Sequence, residues 1–241
     1  MEFTFGAYGK LIECLREYGY CFADYLNYKN YDKSVILRHD VDMDLQKAVE
    51  MAKFEFDLGV SSTYYVLITS DFYNVFSKNN QKHLQEIIGF GHTVGLHFDE
   101  AKYGQETDIV EAIEEEAALL AQCIGTEVTT VSMHRPSSKT LEANYKINGG
   151  KIVNSYGTEF FKNFKYVSDS RRNWRENVFE MAKSGEHSKL HILTHPIWYD
   201  INETSMKECL KEFVSRASIE RYETLVDNIR DLNEVLNRPD I

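Results

Sequence analysis

A chain of 241 residues with 43% hydrophobic and 27% charged residues has ordinary globular composition and is long enough to bury a core without disulfide or metal staples. Its formal net charge of -11 argues against a nucleic-acid partner, because an acidic surface repels phosphate backbones; Arg171, Arg172 and Arg175 are interleaved with Asp169 and Glu176 and form no basic run. No window approaches membrane-spanning length, and Met1 to Gly9 lacks a charged start followed by an apolar stretch, so no membrane span and a cytoplasmic location are expected.

Cys14, Cys21, Cys123 and Cys209 are scattered, without paired metal-site spacing, and read as buried reduced thiols. Aromatics make up 13%, which fits an aromatic core first and a carbohydrate-facing surface second. No linker, repeat or low-complexity segment interrupts the chain, so residues 1–241 are read as one domain with an N-terminal helix and a C-terminal helical tail.

Taken in order, Tyr8 to Tyr18 carries Leu11, Ile12 and Leu15 at helical spacing. Ser34 to Leu37 reads as a buried strand ending at Arg38-His39-Asp40. Asp44 caps a helix with Ala48, Val49, Ala52 and Phe56 on its inner face, and Gly59 stops it. Thr63 to Leu67 is a second strand, Lys82 to Phe90 a helix, and Thr93 to Phe98 a third strand. Thr107 to Cys123 is an amphipathic helix with Ile109, Ala112, Ile113, Leu119, Leu120 and Cys123 inward. Val128 to Met133 is a fourth strand and Ser138 to Tyr145 a short helix. Lys151 to Asn154, Phe164 to Val167 and Leu190 to Thr194 complete the strands, and Glu203 to Leu236 is helical. Strands alternating with helices imply parallel βαβ units, and about seven of them imply a barrel.

Barrel chemistry sits at the carboxyl ends of strands. Those ends supply Asp40 and Asp42, then His97, Asp99 and Glu100, then His134 and Arg135, then Asp169, then His195. Asp40 and Asp42 lie two residues apart and point to one side of an extended stretch, where their like charges conflict unless a cation intervenes. A divalent metal at Asp42, with His97 as imidazole ligand, removes the conflict and leaves Asp40 free as a base. Arg135 is expected to hold Asp40 ionised by a bidentate contact, and His195 to act as a general acid supported by Asp169. His134 reads equally as a ligand and as a hydrogen-bonded core residue. His92 reads as a turn residue, and His83, His187 and His191 as structural or surface histidines. Trp174 and Trp198, just beyond strand ends, are candidates for binding substrate.

As an ordered set from Val35 to Trp198, these residues resemble the polysaccharide deacetylases with a NodB-type homology domain (carbohydrate esterase family four). Arg38-His-Asp-Val-Asp42 resembles the first motif, with Asp40 as base and Asp42 as ligand. Gly91-His-Thr-Val-Gly-Leu-His97 resembles the second, Arg135-Pro136 the third, Asp169 and Trp174 the fourth, and Leu193-Thr-His195 the fifth. A group of surface-polysaccharide biosynthesis proteins, the WbmS-like group, shares the Arg-His-Asp-Val-Asp opening and the His-Pro ending. The resemblance implies an irregular (β/α) barrel of about seven strands and a divalent-metal-dependent, zinc-type amidohydrolase acting on the C–N bond of an N-acylated sugar or sugar precursor. The other readings are a non-catalytic carbohydrate-binding or scaffold protein on the same barrel, and a metal-independent C–N hydrolase.

The family's second ligand histidine falls four residues after the first, and here that position is Ala101. Asp99, Glu100 or His134 would have to replace it. Side-chain alternation from His97 favours Asp99, slightly ahead of His134.

Overall fold

The computed structural model describes residues 1–104 and 106–238. Contacts divide the chain into two compact units, Met1–Ile201 and Asn202–Ile241. In the first unit eight strands form one parallel sheet: β1 (Cys21–Ala23), β2 (Ser34–Val41), β3 (Thr63–Val66), β4 (Thr93–Phe98), β5 (Thr130–Met133), β6 (Val153–Asn154), β7 (Lys165–Ser168) and β8 (Lys189–Thr194). Seven of them run in the order β6-β5-β4-β3-β2-β8-β7, with β1 added beside β2. The sheet curls into a half-barrel with helices packed on it. Across the gap between its two ends the rings of Tyr156, just after β6, and Tyr166 on β7 lie 6.4 Å apart.

The helices of this unit are α1 (Phe5–Glu17), α2 (Leu45–Asp57), α3 (Lys78–Gly89), α4 (Ile109–Ile124), α5 (Ser138–Ala143), α6 (Thr158–Lys162) and α7 (Val178–Ser184). Each long one starts at a capping side chain the sequence supplies, Thr4, Asp44, Ser77 or Asp108, and α4 ends at Gly125 with φ 71°. The second unit is built on α8 (Met206–Asn228), opened by a capping box between Ser205 and Glu208. No helix among the described residues is long and apolar enough to cross a membrane.

Strand β2 is buried along its whole length, as expected of a parallel strand covered on both faces. Its odd positions, Val35, Leu37 and Val41, join the main core between sheet and helices. Ile36 instead joins Tyr25, Tyr28, Tyr65, Phe160 and Phe164 in a second cluster inside the curl. Arg38 and Asp40 share the parity of Ile36, and the Arg38 guanidinium lies over the Tyr65 ring of that cluster. Gly95 on β4 is required by close approach, since a Cβ there would lie 2.6 Å from both Thr130 Oγ1 and the Tyr65 ring.

Several expectations change in the structure. The buried arc of α2 is Ala48, Met51, Ala52 and Glu55, whereas Phe56 is exposed against Phe90. Leu119 on α4 is exposed as well. Of the cysteines, Cys14 is buried and Cys21 exposed. His92 is a buried pin: its Nε2 lies 2.8 Å from the Ala52 carbonyl and its Nδ1 accepts from the Ser62 amide.

Glu55 collects donors from four directions. Tyr8 (2.6 Å) and Tyr64 (2.8 Å) donate their hydroxyls, Ser62 (2.6 Å) donates its own, and His39 Nε2 sits at 2.9 Å. His39 Nδ1 meets Thr194 Oγ1 at 2.6 Å, which ties β2 to β8 one residue before His195. Burial works to raise the Glu55 pKa, but His39 and the other donors outweigh it and bring it to about 2. Its contribution to stability is therefore present above the ordinary value of 4.5 and lost as the pH falls through about 2. Glu55→Ala strands these donors in the core and should cost about 3–5 kcal/mol, read from urea unfolding at pH 7. A loss below ~1 kcal/mol would show that the donors find other partners.

Candidate active site and metal centre

Asp42 leaves the end of β2, His97 lies near the end of β4, and His134 follows β5 directly. One ligand atom from each lies within 4.8 Å of the others. Asp42 Oδ1 is 3.2 Å from His97 Nε2 and 3.4 Å from His134 Nδ1, and the two ring nitrogens are 3.2 Å apart. His97 Nδ1 lies 3.3 Å from the Ser132 carbonyl, and a proton held there would free Nε2 to ligate a cation beside Asp42 and His134. Asp42 Oδ1 is buried with no hydrogen bond of good geometry. A carboxylate oxygen and two imidazole nitrogens converging at these distances suit a divalent, zinc-like cation, and the donor set passes that test. Burial raises the Asp42 pKa, but His134 and His97 hold the carboxyl well below the usual range, so it is ionised and ready to ligate.

Asp99 does not join this cluster. Strand β4 stops at Phe98 and the chain enters a 3-10 turn over Glu100–Lys102, where the Asp99 side chain caps the Ala101 amide at 3.1 Å. Glu100 is engaged as well, accepting from the Ser137 amide and the Thr140 hydroxyl. The strand alternation that favoured Asp99 ends one residue too early to apply, and His134 occupies the place beside His97.

Asp40 lies on the other side of His97, with Oδ2 3.5 Å from Nε2. Its bidentate partner is Arg38, not Arg135. Arg38 Nε reaches Asp40 Oδ1 and NH2 reaches Oδ2, both at 2.8 Å. NH2 also donates to Ser132 Oγ, NH1 donates to Ser155 Oγ at 3.3 Å, and the guanidinium lies over the rings of Tyr65 (5.2 Å) and Tyr156 (4.7 Å). Arg38 is fully buried. Arg135 is exposed, with φ 46°, on the loop beyond β5. Residues 38 and 40 share one face of an extended strand, so the tether comes from the same strand as the carboxylate. Burial pushes the Asp40 pKa up, but Arg38 and the nearby His97 hold it below the usual range.

His195 closes the other flank. Its Nδ1 meets Asp169 Oδ1 at 2.6 Å and its backbone amide donates to Asp169 Oδ2 at 3.1 Å. Nε2 faces Asp42 Oδ2 at 3.9 Å. Burial alone would lower the imidazole pKa; Asp169, with help from Asp42 and Asp40, carries it up to about 9. Trp174 and Trp198 are half-buried against the core, each with its indole nitrogen buried and without a hydrogen-bond partner among the described residues.

Among these residues the sequence reading missed Arg38, although the period-two rule that paired Asp40 with Asp42 includes it. Chemically, the arrangement offers an ionised carboxylate fixed by a guanidinium, a three-donor cation site, and a protonated imidazole, the two flanking groups lying 3.5 Å from His97 and 3.9 Å from Asp42.

No family model and no curated protein matches the chain. Solved structures of similar backbone include CE4-family esterases and deacetylases. A family 4 carbohydrate esterase from Bacillus anthracis has a TM-score of 0.46 at 15% identity, covering 87% of this chain and 85% of that one. BA3943 from the same organism, described as a CE4 family pseudoenzyme, has a TM-score of 0.45 at 13% identity and covers 78% of this chain. This chain spans 62% of BA3943, less than two thirds of its length. The Streptococcus pyogenes deacetylase PplD, solved in complex with acetate, has a TM-score of 0.45 at 11% identity over 79% of this chain and 80% of that one.

Proposed function

We propose that this chain is a metal-dependent amidohydrolase that removes an acyl group from an N-acylated sugar or sugar precursor in surface-polysaccharide biosynthesis. The observation that carries the reading is the Asp42, His97 and His134 cluster, with Asp40 against one side and His195 against the other. A divalent cation held by these three residues, zinc being the first to test, would supply Lewis-acid polarisation of the acyl carbonyl and a more acidic water.

The chain's own groups provide the proton traffic. Asp40, kept ionised by Arg38, accepts a proton from the water that attacks the acyl carbon. His195, kept protonated by Asp169, gives a proton to the nitrogen as the C–N bond breaks. The products are a carboxylic acid and a free amine, and the proton taken by Asp40 balances the one given by His195. Trp174 and Trp198, half-buried just beyond β7 and β8, serve as apolar walls on which a sugar ring stacks.

Metal analysis of the purified protein together with acetate release from N-acetylated sugars tests the proposal. Asp42→Asn, His97→Ala and His134→Ala should each lower zinc affinity by at least ~10–100-fold and abolish turnover. Asp99→Ala should leave zinc affinity where it was. Zinc binding insensitive to all three cluster substitutions removes the metal reading. An inert protein without stoichiometric metal makes a non-catalytic carbohydrate-binding role the better account.

A further inference from the structure

The charge of this chain is unevenly placed. Between His134 and Arg175 the sequence holds nine lysines and arginines against three carboxylates, Glu142, Glu159 and Asp169, in a chain whose total is -11. Two of the three carboxylates, and Glu176 just beyond, are already engaged. Asp169 is buried beneath His195, Glu159 accepts from Tyr28 and lies 3.5 Å from Lys29, and Glu176 takes Lys165 at 2.7–2.8 Å. The interleaving of acidic and basic residues in the sequence is therefore not a neutralisation in space.

Arg135, Arg171 and Arg175 are exposed and make no hydrogen bond or ion pair among the described residues. Arg135 directly follows His134 of the metal cluster, and Arg171 lies two residues after Asp169, the partner of His195. These loops follow β7, one end of the sheet, and β5, which pairs with β6 at the other end; across the gap between β6 and β7 the rings of Tyr156 and Tyr166 face each other. Arg135 and Arg171 both hold left-handed backbone, φ 46° and 60°. That conformation is unfavourable for a residue with a side chain, and such strain concentrates at ligand-handling loops.

We infer that this arginine rim takes an anionic, phosphate-type group carried by the substrate, so that the sugar enters as a phosphate or diphosphate conjugate. The inference rests on the deacylase reading for the sugar and on the rim itself for the anion. Guanidinium groups match phosphate oxygens bidentately, and a local positive rim on an acidic protein directs such a group to one edge of the site. The task assigned to Arg135 in the sequence is carried out by Arg38, which leaves Arg135 available for substrate.

Inorganic pyrophosphate is the probe, titrated calorimetrically at constant ionic strength into the purified protein. Arg135→Ala and Arg171→Ala/Arg175→Ala should each weaken binding about tenfold or more, while Asp42→Asn should still bind. Loss in Asp42→Asn with retention in the arginine variants would place the anion on the metal and overturn the inference; so would no binding by the wild type at millimolar pyrophosphate. In turnover, the ratio of kcat/KM for an N-acetylated sugar diphosphate over its neutral sugar should exceed one and fall in Arg135→Ala. A soluble nucleotide-linked sugar and a lipid-linked sugar in vesicles identify the source of the diphosphate. Deacylation of neutral sugar with no preference for phosphate refutes the rim and keeps the hydrolase. Arginine-dependent pyrophosphate binding without deacylation of any sugar keeps the rim and refutes the hydrolase.

Discussion

Asp40→Asn is expected to lower kcat by ~10²–10⁴-fold and also to destabilise the fold by about 3–5 kcal/mol. Read from the sequence as a base at a strand end, Asp40 is expected to cost far more in activity than in stability when removed. The structure changes that balance. Arg38 is fully buried, and its charge is met by the two oxygens of Asp40. An asparagine accepts one of those hydrogen bonds and none of the charge. Ser132, Ser155 and two aromatic faces remain around the guanidinium, but none of them is anionic. The loss of kcat has a separate origin: on the proposed mechanism Asp42, the other ionised carboxylate beside His97, is taken up as a ligand, which leaves Asp40 to accept the water's proton. A double variant separates the two effects. Arg38→Met/Asp40→Asn removes the stranded charge and lays an apolar chain between Tyr65 and Tyr156, so it should regain more than half the stability lost in Asp40→Asn and none of the activity. Urea midpoints and initial rates on zinc-loaded protein read both. A single variant as stable as the wild type would show that the Arg38 charge is compensated elsewhere; one with normal turnover would remove Asp40 as the base.

Much of this site follows from applying two periodicities to the chain. The strand ends at Asp40, His97, His134 and His195 are legible because β2, β4, β5 and β8 are continuous β-forming runs flanked by helices with side-chain caps. What escaped was short or broke its own pattern. β1 is three residues long, and α6 and α7 are five and seven, below the length at which a period shows. Asp99 was placed by extending strand alternation one residue past the point where the backbone turns. Glu55 occupies the position i+7 from Ala48 on the buried arc of α2, but an apolarity count prefers its neighbour Phe56. The polar groups that fix β2 and β8 beneath the site are for that reason the least visible from the sequence: their burial is decided by partners on α1, β3 and β8, far along the chain. The arginines show the opposite error. Arg135 matched a motif by order along the chain, whereas the neighbour two residues before Asp40 had the geometry.

Asp169→Asn is expected to move the alkaline limit of turnover down through neutral pH. On the proposed mechanism His195 acts while protonated, and its ordinary value of 6.5 would leave it mostly neutral at pH 7.5. Burial lowers that value further; the buried Asp169 carboxylate, 2.6 Å from Nδ1, is the leading cause of the rise to about 9. The raised pKa means that the pair's contribution to stability is complete below about 6.5 and is lost as the pH rises through about 9. Turnover should follow the same proton, holding on the acid side of that limit and falling beyond it. A cation at Asp42 neutralises one of the carboxylates that assist Asp169, so the metal-loaded enzyme should lose activity somewhat below pH 9. In Asp169→Asn the burial penalty remains and its main counterweight is gone, so the imidazole should be neutral at pH 7 and turnover there should drop by ~10²–10⁴-fold, with recovery toward acid pH. The amide also replaces one of the two acceptors that hold His195, the one receiving its backbone N–H at 3.1 Å. Profiles of kcat against pH for both proteins, each zinc-loaded, decide the matter. An alkaline limb that stays put in Asp169→Asn would mean that the leaving nitrogen takes its proton from a group other than His195. A profile lowered equally at every pH would assign Asp169 to placing the imidazole, with no part in holding its proton.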